Sequence, residues 1–259
     1  ALELAPELRP ELVAGLTRIA THYTETGAHA FAEAIYRDVI KLAPDDGWHQ
    51  VRYGEALMAQ EYYDKAREVF LNILERAPES PYSAYKLDEI FEKTNAGELR
   101  LSTWQTLHEL HPNAFVPALH LAKAHENRGN YHAAIELYRR AFEQHPDKHE
   151  AGLRLGALTA RFGSYEEGRA MMRAAVLQDA SLASLNVALL TEMAEQFREA
   201  GDMQRASGLF EELLADDPDD VFLGTRLAET LIGQGLYEKA LEICRTLMGI
   251  DGKTKTPPR

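Results

Sequence analysis

Apolar residues recur along this chain at helical spacing. Ala66, Val69, Phe70, Ile73 and Leu74 mark one side of a helix, and no stretch alternates apolar and polar residues for the length of a strand. The helical segments are grouped: Pro44, Pro78, Pro112 and Pro146 stand 34 residues apart, and the residues between them follow one pattern. A fixed period of this length signifies stacked copies of one supersecondary unit. Placing each proline at position 32 gives units at 13–46, 47–80, 81–114, 115–148 and 149–182. A four-residue insertion, 183–186, precedes two more at 187–220 and 221–254. Residues 1–12 read as the end of a preceding repeat and the entry to the first helix, and 255–259 as a disordered tail.

The columns of this alignment carry the fold. Position 8 reads Ala20, Gly54, Asp88, Ala122, Gly156, Ala194 and Ala228, and position 20 reads Ala32, Ala66, Arg100, Ala134, Gly168, Ala206 and Ala240. Small residues in two columns are what a close approach of two helix backbones requires. Position 24 is bulky in Tyr36, Phe70, Trp104, Tyr138, Met172 and Phe210, with Cys244 the exception. Position 15 is glycine in five units (Gly27, Gly129, Gly163, Gly201 and Gly235), which suits the left-handed residue that ends a helix. Glu61 and Asn95 hold that position in the other two. Each unit therefore reads as helix, short turn, second helix and a proline-containing turn, an all-α architecture.

This arrangement resembles the tetratricopeptide repeat (TPR) family over nearly the whole chain. The resemblance implies a right-handed superhelix of about seven helix-turn-helix units, with the first helix of each lining a concave groove. Positions 2, 5, 6, 9, 12 and 13 of the first helix face that groove in the family. Here they hold Trp48, Val51, Arg52, Glu55 and Met58 in unit two, and Tyr82, Tyr85, Lys86 and Glu89 in unit three. Unit four places Val116, Leu119, His120, Lys123 and Asn127 there, and unit five Leu153, Arg154 and Arg161. Trp, Tyr and Arg dominate protein interfaces, so the expected partner is an extended or helical protein segment with some acidic or carboxylate character. The alternative is that Trp48, Tyr82 and Tyr85 simply pack between adjacent first helices. The Lys and Asn pair with which some family members grip a C-terminal carboxylate is missing from positions 5 and 9. An asparagine ladder is missing as well.

Unit three breaks the small-residue rule at both columns, with Asp88 and Arg100. Because the two columns face one another in the family, an ion pair between them is expected; a competing alignment puts Ser102 at the contact. The insertion before Val187 adds about one turn to the first helix of unit six, giving a helix from roughly Ser181 to Ala200.

Composition adds limits. A net charge of −13 disfavours nucleic acid and anionic membranes and favours basic partners, or serves only the solubility of a long surface. No apolar run is long enough to span a membrane, and the single Cys244 excludes an internal disulfide. Enrichment in Ala, Leu, Glu and Arg points to a bacterial source. Glu3–Glu7 (ELAPE) echoes Lys41–Asp45 (KLAPD), and Gly252–Arg259 (GKTKTPPR) is too short for a closing helix, so the ends read as cut from a longer array or as edges for self-association.

Chemistry is harder to find. Histidines cluster between His108 and His149, with His108/His111 and His145/His149 at spacings that metal sites use, but no third ligand completes a set. No phosphate loop, dinucleotide turn or nucleophile elbow is present. The four aspartates around Pro218 read as helix-end and capping residues. No cofactor and no metal are expected. The sequence reads as a non-catalytic adaptor, with an accessory arm of a larger enzyme and a self-assembling array as the alternatives.

Overall fold

The computed structural model describes residues 8–249, and these form fourteen α-helices without a strand. They come in seven pairs: α1 (Arg9–Glu25) with α2 (His29–Leu42), α3 (Gly47–Ala59) with α4 (Tyr63–Arg76), α5 (Pro81–Lys93) with α6 (Gly97–Leu110), and α7 (Phe115–Asn127) with α8 (Tyr131–Gln144). Then follow α9 (His149–Phe162) with α10 (Tyr165–Gln178), α11 (Ala183–Glu199) with α12 (Met203–Asp216), and α13 (Val221–Gly233) with α14 (Tyr237–Leu247). The chain divides into two bodies, residues 1–145 and 146–259. The echo at Glu3–Glu7 and the segment from Gly252 lie outside the described residues.

Within each body, the second helix of a pair packs on the first helix of the next: α2 on α3, α4 on α5, α6 on α7, and α12 on α13. Tyr36, Phe70, Trp104 and Phe210 of the bulky column lie on the helices of these seams and are essentially inaccessible, as are Tyr138 and Met172. In the C-terminal body, Leu153, Met172, Met193, Leu209, Phe210 and Leu227 belong to one apolar cluster.

The small-residue columns set how closely each pair approaches. In α9 and α10 both columns are glycine, and this pair is the tightest of the seven. A Cβ on Gly168 would lie 2.7 Å from Ala160 Cα and closer still to the Ala160 amide nitrogen and the Gly156 carbonyl oxygen. In α5 and α6 the columns hold Asp88 and Arg100, and that pair stands widest apart. Arg100 Nη2 lies 2.8 Å from Asp88 Oδ2, the expected ion pair. Ser102, the competing occupant, is exposed and donates to the Leu99 carbonyl instead.

Helix ends follow local chemistry. Asp46, Asp202 and Asp220 accept from the amides of Trp48, Arg205 and Leu223 at the starts of α3, α12 and α13. A short 3-10 turn, Ala180–Leu182, precedes the inserted residues 183–186, which form the first turn of a seventeen-residue α11, against thirteen residues in α13. Gly27, Gly129, Gly201 and Gly235 adopt left-handed backbone, with φ between 74° and 82°. Gly163 does not: φ is −136°, because α9 runs through Phe162, one residue longer than α7, and the chain leaves it by a different turn. Glu61 and Asn95 take the left-handed conformation at φ 62° and 50°. For a residue with a Cβ this costs about 1 kcal/mol, less for asparagine. Glu61→Gly is accordingly expected to raise stability by about 0.5–1 kcal/mol and Asn95→Gly by less, read as shifts in urea midpoint. A lower midpoint for Glu61→Gly would contradict that assignment of strain.

Candidate functional site

The first helices of units two and three, α3 and α5, lie in the N-terminal body and present their polar and aromatic sides together. Residues 48, 51, 52 and 55 share one face of α3 at helical spacing, while His49, Leu57 and Gly54 turn inward. Trp48 stays 46% exposed. Its indole meets Tyr36 edge-on at 6.4 Å, and the Arg52 guanidinium lies 5.1 Å over its ring. On α5, Tyr82 and Tyr85 are 46% and 61% exposed, and Lys86 Nζ lies 5.6 and 5.5 Å from their rings.

The charges on this face are matched internally. Arg52 pairs with Glu55 at 2.8 Å, and Lys86 with Glu89 at 2.9 Å. Lys93 approaches Glu89 at 3.7 Å. The Tyr82 hydroxyl donates to the Glu55 carboxylate and so ties α5 to α3. Burial, and then that hydrogen bond, push the Tyr82 phenol above its usual range, so it remains a donor at neutral pH.

Two depressions follow. One of about 500 Å³ lies between α3 and α5, walled by Trp48, Val51 and Tyr82, rimmed by Arg52 and Glu55, and floored by Ile73 and Ala77 from the end of α4. The other, about 250 Å³, is lined by Glu55, Met58, Lys86, Glu89 and Lys93. Ile73, Ala77 and Lys93 were outside the sequence-derived set. Position 27, where Ile73 sits, is an apolar column throughout, but nothing in one sequence indicates that a first-helix groove should reach it.

The rest of the expected groove is not open. Leu119 and His120 are buried, at 4% and 7% exposure, along with most of α7 from Phe115 to Ala124. The cause is composition: FVPALHLAKA is apolar on nearly every side, and such a helix is covered all round. Lys123 is half-buried and Asn127 exposed. Val116 and Leu153 are core residues. In the C-terminal body, Arg154 pairs with Glu150 at 3.0 Å, and the Arg161 side chain is only 7% exposed and lies 3.4 Å from Glu192. Leu119, His120 and Arg161 are therefore withdrawn as groove contacts.

His120 belongs to a buried polar cluster. Its Nδ1 donates to Asp88 Oδ2 at 2.6 Å, the Trp104 indole donates to Asp88 Oδ1 at 2.7 Å, and its ring stacks on Trp104 at 4.5 Å. Burial alone would raise the Asp88 carboxyl. The hydrogen bond and charge of His120, then Arg100 and Trp104, outweigh burial and hold it below its ordinary value.

The other histidines have structural roles. His111 and His145, both at position 31, donate through Nε2 to the carbonyls of Glu75 and Asn113 at 3.0 and 2.9 Å, pinning the turns. Burial, and after it Arg140 and Arg128 respectively, push His108 and His125 below the usual histidine range. Among the described residues no group of three or more His, Cys, Asp and Glu side chains is placed to hold a metal ion, and no helix is long and apolar enough to cross a membrane.

Family models described as tetratricopeptide repeat match residues 18–81, 116–158 and 197–255, together well over half the chain. The chain belongs to the tetratricopeptide repeat family. Among solved structures, the APC/C hetero-tetramer Cut9–Hcn1 shares its fold, at 14% identity and a TM-score of 0.56, over 91% of this chain and 46% of that one. A thermophilic TPR protein of Thermus thermophilus, TTC0263, aligns at 21% identity and a TM-score of 0.48 over 72% of this chain and 99% of its own. MamA from Desulfovibrio magneticus RS-1 aligns at 16% identity and 0.45 over 66% and 97%. Curated protein sequences yield no match. As a TPR chain the protein is an interaction scaffold, and none of these family matches is to a catalytic domain.

Proposed function

We propose that this TPR chain is a non-catalytic adaptor that holds a segment of a partner protein along the α3–α5 face, with the Trp48–Tyr82 depression as its anchor. The observation that carries this reading is an apolar-walled depression of about 500 Å³ whose two aromatic walls are each left half exposed. Sites of this volume and lining accept a bulky side chain, and covering a large exposed apolar side chain contributes about 1.5–3 kcal/mol. The charges argue for a partner chosen by shape more than by net charge. Arg52 and Lys86 are engaged by Glu55 and Glu89, so an acidic segment would have to displace those pairs. An acidic segment is accordingly disfavoured on this face.

Peptides selected from a random library on the full chain provide the test. Trp48→Ala and Tyr82→Ala are each expected to weaken the selected peptide about 30-fold, the effect of losing an interface anchor worth about 2 kcal/mol. Leu177→Ala, on a highly exposed side chain of α10, should leave binding unchanged. Equal binding by all three variants would remove the site from this face.

A further inference from the structure

We propose that the opposite side of α3 carries a second, separate interaction surface: a depression between α2 and α4 that takes an acidic protein segment bearing one apolar side chain. Its volume is about 460 Å³; Ile40, Tyr53 and Val69 form the floor, and Lys65, Glu68 and Arg76 stand on the rim. Residues 50 and 53 of α3 line it, and at 100° per residue they lie across the helix from Trp48, Arg52 and Glu55.

Two features set this depression apart from the surrounding surface. Tyr53 occupies position 7, whose residues in the next five units, Leu87, Leu121, Leu155, Met193 and Leu227, are all buried. Tyr53 is only half-buried, so the seam that closes over this column in the later units is left open here. The second feature is charge. Arg52, Arg67 and Lys86 each have a carboxylate within 3 Å. Lys65 and Arg76 have none within ion-pairing distance among the described residues. Lys65 Nζ rests 5.0 Å over the Tyr62 ring, and Arg76 Nε donates to the Asn72 carbonyl at 3.2 Å. Even with Glu68 between them, the rim carries a positive surplus on a chain of net charge −13.

Spacing defines the ligand. Lys65, Val69, Asn72 and Arg76 are separated by four, three and four residues, so they form one straight stripe on α4. Eleven residues of helix span about 16 Å, the reach of about five extended residues. A segment with acidic residues at both ends and an apolar residue between them places its carboxylates at Lys65 and Arg76 and its apolar side chain over Tyr53 and Val69. An opposite-charge arrangement of this kind steers encounter and fixes register.

The test uses the full chain labelled with nitrogen-15 and the acetylated peptide Glu-Glu-Phe-Glu-Glu. Saturable amide shifts are expected around Tyr53, Lys65, Val69 and Arg76, weakening as salt is added. Lys65→Glu/Arg76→Glu should weaken binding at least about tenfold, and Trp48→Ala should leave it unchanged, which separates this surface from the α3–α5 face. Should the charge reversal disturb folding, Lys65→Gln/Arg76→Gln replaces it. Lack of saturable shifts, shifts centred on Trp48 and Tyr82, or equal binding of Gln-Gln-Phe-Gln-Gln would overturn the proposal. Equal binding of Glu-Glu-Ala-Glu-Glu would overturn the apolar seat.

Discussion

Gly168→Ala is expected to destabilise the C-terminal body by about 3–5 kcal/mol, through the addition of a single methyl group. Overpacking by a methylene commonly costs 1–3 kcal/mol, when flexible side chains can yield. Here the obstacles are the Ala160 amide and the Gly156 carbonyl, main-chain atoms of α9 that can retreat only if the helices separate. Separation would open the seam filled by Met172 and Leu153. Gly208→Ala is the control. It too lies within a helix, but nothing stands within 4 Å of its added Cβ, and a gain of about 0.5–1 kcal/mol is expected from helix propensity. Both tryptophans, Trp48 and Trp104, belong to the N-terminal body. The comparison therefore needs circular dichroism or hydrogen exchange in α9–α10. Equal stability of the two variants would contradict the close approach.

Asp88→Ala is expected to cost the N-terminal body a similar amount, about 3–5 kcal/mol. It removes the acceptor of the Trp104 indole, the 2.6 Å partner of His120 and the close partner of Arg100, which keeps Glu92 at 3.5 Å, and a buried donor or charge that loses its near partner is an expensive remnant. Trp104 fluorescence reports the loss directly, since its indole nitrogen is one of the stranded donors. Removing Arg100 as well restores the small–small pairing of the other units. Asp88→Ala/Arg100→Ala should therefore cost clearly less than the sum of the single changes. Additive costs would mean that the pair is not coupled.

The same site gives a pH dependence of known sign. In the folded state the Asp88 carboxyl titrates below its ordinary value of 3.8. Its contribution is complete above that value and is lost as pH falls through the lowered folded value. Acid unfolding of the N-terminal body should therefore steepen below about pH 4 in the wild type and be shallower in Asp88→Asn.

The repeat was legible in the sequence because it rests on columns. A small residue at positions 8 and 20 and a bulky one at 24 state how two helices meet, and seven copies leave little room for another answer. The one unit that broke the rule was legible as well, since Asp88 and Arg100 are opposite charges in facing columns. The candidate site was legible in part. Trp48, Arg52, Tyr82, Tyr85 and Lys86 do share a face, but the family pattern assigns groove positions without regard to composition, and the covering of α7 follows from FVPALHLAKA being apolar on nearly every side. Nor could the pattern show that groove cations would be paired by Glu55 and Glu89, which follows from i, i+3 placement on the same helix. His108/His111 and His145/His149 have spacings that metal sites use, although no third ligand completes either set. The column that His111 and His145 share was the informative feature, since both pin a turn.

Hydrogen exchange of the full chain, with and without a bound partner segment, tests the central claim most directly. Saturating binding should slow exchange in residues 47–55 and 81–89, the N-terminal parts of α3 and α5, and Trp48→Ala should abolish that protection. Protection confined to the C-terminal body, or protection of α3 and α5 that survives Trp48→Ala, would contradict it.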